Sequence, residues 1–239
     1  KAYRIPNYPY DVENIVSDKG FGRNEFVPTT KPLVVVTAPG PGSGKMSICL
    51  SQLYGENKRG VKAGYAKYET FPVWNLPLKH PVNLAYEAAT TDLSDVNMVD
   101  TYHLEKYGIT SVNYNRDLDV FPVLKKIFTT IYGETPYHSP TDMGVNKVGF
   151  CIDNMEAAVK ASNTEIIRRY FQNLVNVKLG KFDENALNKS IAIMEEAGVS
   201  LKDRRVVDAA NRKKAATKCE VNAIELADGT IVTGRMTDL

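Results

Sequence analysis

Three cysteines in 239 residues, Cys49, Cys151 and Cys219, are too few and too scattered for a disulfide framework. None stands in the C-x-x-C pairing of a structural zinc site, so they read as reduced, buried thiols of a cytoplasmic protein. Charge imbalance is lacking as well: 30 basic and 28 acidic residues leave a net +2. That balance gives no electrostatic case for nucleic acid or a membrane surface as partner. No apolar run approaches the length of a membrane span, and no signal peptide opens the chain. The H-E-x-x-H, H-x-x-E-H and G-x-S-x-G signatures are missing, which removes zincin-type peptidases and the serine nucleophile elbow. His103-Leu104-Glu105 has no P-C-x-x-C downstream, so a zinc deaminase is unsupported.

What the chain has is 43% apolar residues, enough for one good core and a second small one. Residues 1–32 carry Pro6, Pro9 and Pro28 among tyrosines and read as an irregular lead-in packed by Tyr3, Ile5, Tyr8 and Tyr10. From 33 to 150, short apolar runs alternate with helical periods, the mark of an α/β segment. Strands are expected at Leu33–Val36, Lys62–Tyr68 and Ile109–Tyr114. Helices are expected at Met46–Tyr54, Val82–Leu93 and Asp117–Tyr132, with Asp117 and Gly133 as caps of the last. Residues 151–218 form a helical subdomain of four helices: Asp153–Ala161, Thr164–Leu179, Asp183–Ala197 and Asp203–Lys214. Residues 219–239 form a β-hairpin, Val221–Leu226 and Thr230–Thr233, turning through Ala227-Asp228-Gly229. The chain starts at Lys1 without an initiator methionine and stops just past a strand, and is read as a piece of a longer protein.

The densest signal is Leu33-Val34-Val35-Val36-Thr37-Ala38-Pro39-Gly40-Pro41-Gly42-Ser43-Gly44-Lys45-Met46-Ser47. Strand, glycine-rich loop and helix together aim backbone N–H groups and a positive helix end at an anion. The loop nearly matches G-x-x-x-x-G-K-[ST], but Pro39 holds the first glycine position and Met46 the hydroxyl position, with Ser47 one residue late. Pro39 and Pro41 also lack the N–H that a phosphate cradle uses. The ligand implied is a nucleotide or phosphorylated metabolite held by Gly40, Gly42, Ser43, Gly44, Lys45 and Ser47, without the usual magnesium hydroxyl. Asp95 and Asp100 are weak substitutes for that missing ligand.

Three further loops would converge on the same sheet edge. They bring Lys79 after the loop containing Trp74, Asn115 and Arg116 in Asn113-Tyr114-Asn115-Arg116-Asp117, and Asp142 and Asn146 in Ser139–Asn146. Lys79 and Arg116 would assist the anion, and Asp142 is the candidate general base or metal ligand beside catalytic Lys45. Asp117 reads as a helix cap rather than a base, and His80 as a packed residue.

These motifs also resemble a bacterial family known as domain of unknown function 1846. The shared text runs from Val34 to Tyr54, Lys62 to Tyr86, Val112 to Arg116 and Ser139 to Asn146, and continues to Asp228–Gly234. The resemblance implies a protein about twice this length, with α/β segments before and after. It also implies that the Ile224–Gly234 hairpin opens a subdomain of cytidine-deaminase-like fold. Some relatives are called ATP-dependent peptidases; no metal motif or catalytic dyad here supports that. The family brings no catalytic residue to carry over.

The expected architecture is α/β, with a Rossmann-like or P-loop-like parallel sheet segment, a helical subdomain and the start of a further α/β subdomain. Two functions stand open. One is an enzyme or pseudo-enzyme binding a nucleotide or phosphorylated metabolite through a degenerate P-loop. The other is a non-catalytic ligand-binding or homo-oligomeric assembly protein whose glycine loop is structural.

Overall fold

A computed structural model of the chain describes residues 3–5, 7–40, 42–69, 71–93, 95–144 and 146–237. Pro6, Pro41 and Val145, which fall in motifs named above, lie outside the described residues. Contacts divide the chain into two units, each assembled from two stretches: residues 1–75 with 98–147, and 76–97 with 148–239.

The first unit is organised by helices. A single turn, α1 (Val12–Ile15), is capped by Asp11. Helix α2 (Lys45–Lys58) starts where Gly44 takes a left-handed conformation, and α4 (Thr101–Tyr107) starts at Asp100. Helix α5 (Asn115–Tyr132) runs through Pro122 and stops at left-handed Gly133. Its inward face is spaced three and four apart, as a buried stripe requires: Phe121, Leu124, Ile127 and Phe128 are all 1% exposed or less. They pack with Val12, Ile15, Phe21, Leu50 and Leu53. The lead-in therefore contributes α1 and Phe21 to the core. Of the residues expected to pack there, Ile5 is buried, whereas Tyr10 stands 89% exposed.

Strands in this unit are short. β1 (Asn97–Val99) pairs with β2 (Val112–Tyr114). The Val112 N–H donates to the Trp74 carbonyl (2.9 Å), and Val73 bridges Asn146 in parallel. Two of the expected strands are not strands. Leu33–Val36 has no ladder partner among the described residues and is exposed throughout. Lys62–Tyr68 is held by other groups instead: the Tyr132 hydroxyl donates to the Ala63 carbonyl (2.6 Å), and the Lys67 N–H donates to the Met143 carbonyl (2.6 Å). Gly144 closes that junction. A Cβ there would sit 2.6 Å from the Lys67 carbonyl oxygen, at a φ of 104°.

In the second unit, α3 (Pro81–Ala89), α6 (Met155–Lys178) and α7 (Glu184–Ala197) pack together. Leu84 and Ala88 meet Ile166, Ile167, Ile193 and Met194. Beside them, buried Asn173 donates to Thr91 Oγ1 (2.9 Å) and Ser190 Oγ (2.7 Å). Helix α3, read from sequence as part of the α/β segment, thus packs with the later helices. Helix α6 is one helix where two were expected. The Ser162 and Thr164 hydroxyls donate back to the carbonyls of Ala158 (2.8 Å) and Lys160 (2.9 Å) of the same helix, and neither starts a new one. Helix α8 (Arg205–Thr217) carries the hairpin of β3 (Val221–Glu225) and β4 (Ile231–Arg235), antiparallel with Ile224 opposite Val232. No helix among the described residues is long and apolar enough to cross a membrane.

Candidate functional site

The glycine loop keeps its shape through backbone angles and one lysine. Gly42 (φ 71°) and Gly44 (φ 85°) take conformations that favour glycine. The Ser43 hydroxyl and the Lys45 ammonium (2.9 Å) both donate to the Gly40 carbonyl, and Lys45 Nζ lies 3.3 Å from Ser43 Oγ. Helix α2 begins at Lys45 with no side-chain cap, so the N–H groups of its first turn, including Ser47, face outward from the helix end. A Cβ placed on Gly40, Gly42 or Gly44 would meet nothing within 4 Å. Close packing therefore does not explain these glycines.

The remaining expected site residues each have contacts of their own. Lys79 belongs to the second unit, where it pairs with Glu196, and that hydrogen bond holds its pKa above the ordinary value. Arg116 stacks over the Tyr114 ring, 5.3 Å from its centroid, on the first turn of α5 beside Asn115. Asn146 lends its carbonyl to the Trp74 N–H (3.3 Å). Asp100, fully buried, accepts from the N–H groups of His103 and Thr141 (both 3.0 Å) and from the Thr141 hydroxyl (2.6 Å). Its oxygens are committed to capping. Asp95, also buried, accepts from the Tyr86 hydroxyl at 3.2 Å in the second unit. Cys49 is half-buried, which pushes its thiol pKa up, whereas Cys151, expected to be buried, is exposed.

Asp142 shows what its loop does with a carboxylate. Its Oδ2 accepts from the N–H groups of His138 (2.7 Å) and Ser139 (3.1 Å) and from the Tyr107 hydroxyl (3.0 Å). Ser139 Oγ in return accepts from the Asp142 N–H, which completes a capping box around the 3-10 turn Pro140–Met143. His103 Nδ1 lies 2.9 Å from Ser139 Oγ and 3.6 Å from Asp142 Oδ1. The three residue types match a nucleophilic triad, but the geometry does not. A triad places nucleophile and carboxylate on opposite ring nitrogens, and here both face Nδ1, with Ser139 fully buried. Asp142, read from the sequence as a candidate general base or metal ligand, positions its loop through these bonds.

A group that the sequence reading passed over lies at the start of α5. Lys67 Nζ, at the end of the Lys62–Tyr68 segment, donates to Asp117 Oδ2 (2.6 Å), Glu69 Oε1 (2.6 Å) and the Tyr114 hydroxyl (2.8 Å). Burial works against the ammonium, yet Asp117 and Glu69 outweigh it and hold the Lys67 pKa above its ordinary value. Asp117 lies inside the first turn of α5, and the N-cap position is Tyr114. Tyr65, two residues before Lys67, is buried enough that its phenol is pushed up to about 12. Two carboxylates around one lysine leave a net negative, saturated cluster, unsuited to an anion. In the second unit, a cleft of about 650 Å³ mixes Asp92 and Asp183 with Lys181 and Lys189, and presents no single sign of charge. Among the described residues no three His, Cys, Asp or Glu side chains are grouped to hold a metal ion.

The glycine loop and the loops around it lie in sequence that matches two adjoining family domains. Residues 1–198 match the N-terminal domain of unknown function DUF1846, and residues 202–239 match its C-terminal domain. The chain belongs to the DUF1846 family. It is similar to UPF0371 proteins of streptococci: 56% identical over 239 residues to one from Streptococcus equi subsp. zooepidemicus (strain MGCS10565), covering 100% of this chain and 48% of the relative. It is also 56% identical over 237 residues to UPF0371 protein M28_Spy1076 of Streptococcus pyogenes serotype M28, covering 99% of this chain and 48% of that one. The DUF1846 chain described here thus spans about half the length of the curated relatives it matches.

Proposed function

We propose that the Gly40–Ser47 loop binds a phosphate-type anion, as part of a nucleotide or a phosphorylated metabolite, within an α/β fold of Rossmann-like or P-loop-like type. The observation that carries this reading is Gly40. Its φ is not in the left-handed region and no atom of the described residues lies within 4 Å of where its Cβ would be, so neither conformation nor packing among them calls for glycine there. A backbone left bare beside the start of a 14-residue helix suits close approach of an external anion. The helix end supplies partial positive charge and first-turn N–H groups, and Lys45 adds a full charge that now rests on the Gly40 carbonyl. With Met46 where the magnesium hydroxyl would stand, binding is expected without a magnesium requirement.

Calorimetric titration with inorganic phosphate, simple phosphate esters, ATP and GTP, with and without magnesium, tests the reading. Lys45→Ala should weaken binding at least about tenfold, the scale of one lost charge-assisted contact. Equal affinity in the wild type and the variant would remove the loop from any phosphate role.

A further inference from the structure

We propose that Leu33–Val36 is an interior strand of a parallel sheet, completed by the part of the family's chain that lies outside these 239 residues. Leu33, Val34, Val35 and Val36 are 78, 51, 74 and 37% exposed. Four apolar residues in succession would place two on each face of a strand, so both faces of this segment are apolar. Runs of this kind belong to strands covered on both faces, the texture of a parallel sheet between helical layers. Edge strands look different, because they carry charges that discourage pairing. The run leads directly into the glycine loop and α2, as such a strand should.

The occupant follows from how much must be covered. A second copy pairing edge to edge would satisfy one row of backbone groups and leave both apolar faces in water. Covering them takes further strands and a layer on each side, which is the work of a long segment. The curated relatives have that length: the aligned chain accounts for 48% of them. This inference does not rest on the anion reading, since the strand can be interior with or without a ligand on the loop.

The test is hydrogen–deuterium exchange of residues 33–37 in this sequence extended to the family's full length, at concentrations where the protein is monomeric. Exchange at least about a thousandfold slower than in a free peptide of the same residues is expected. A photoreactive label on Pro32→Cys, just outside the run, should capture a peptide lying beyond residues 1–239 of the same molecule. Peptide-like exchange in the monomer overturns the proposal. So does capture confined to residues 1–239, or protection and capture that occur only between two molecules, which would assign the face to a second copy.

Discussion

The Tyr137 hydroxyl bonds to both backbone groups of Tyr65: it accepts from the Tyr65 N–H at 2.7 Å and donates to the Tyr65 carbonyl at 2.5 Å. A neighbouring strand would ordinarily meet those groups. Here a phenol 72 residues away does so, packed at 4.8 Å against the buried ring of Phe128. Tyr137→Phe keeps the ring and removes both bonds, leaving two half-buried backbone groups without that partner. It should cost about 1–3 kcal/mol of stability, read as a lower urea midpoint at unchanged slope. An unaltered midpoint would show that water replaces the hydroxyl at no cost.

Lys67 holds two carboxylates together, and its removal should cost more than its own contacts suggest. Lys67→Met leaves Asp117 and Glu69 facing one another in a partly buried site. A loss of about 3–5 kcal/mol is expected, the usual scale for an uncompensated buried charge. The double variant Lys67→Met with Asp117→Leu should recover part of that loss. A double variant as unstable as the sum of its singles would refute the coupling.

His80 caps α3 through Nδ1, which accepts the Val82 N–H at 3.2 Å, and burial lowers its pKa from the ordinary 6.5. A capping acceptor must be neutral. The stabilisation is therefore fully present above 6.5 and is lost as pH falls through the lowered value in the folded protein. His80→Asn keeps a good cap without the titration. The variant's thermal midpoint should match the wild type near pH 8 and exceed it near pH 5.

Two glycines should separate stability from binding. Gly144→Ala forces a Cβ against the Lys67 backbone at φ 104°. It should cost at least about 1–3 kcal/mol from the angle alone. Gly40→Ala meets open space and should leave stability within about 0.5 kcal/mol of wild type. By crowding the loop it should still weaken phosphate binding. Full affinity in a folded Gly40→Ala protein would argue against the loop as the site.

The helices were largely legible because their ends are written locally. Gly133, Gly198 and Asp183 sit where caps are expected, Pro81 opens α3 as expected, and the stripe of α5 follows from spacing alone. The ion cluster was not legible. Lys67 and Asp117 are ordinary residues 50 positions apart, and nothing near either one announces the other. The capping part of Asp142 was hidden for a related reason. A carboxylate three residues after a serine fits a capping box as well as a base, and the bonds from His138, Ser139 and Tyr107 become visible only in the fold. The valine run shows the opposite limit. Its apolar run reads as a strand from the sequence, yet the described residues supply it no ladder partner and leave it exposed.

The way each unit is stitched from two stretches constrains how this protein can be taken apart. The backbone passes from one unit to the other at 75/76, 97/98 and 147/148, so no single cut yields both units whole. A piece ending at 150, where the sequence texture changes, would keep α3 and discard α6 and α7. Leu84 and Ala88, each now 1% exposed, would then face water. A piece starting at 151 would open the groove they fill. Cloning boundaries drawn from residue texture alone would divide the α3, α6 and α7 core between two pieces.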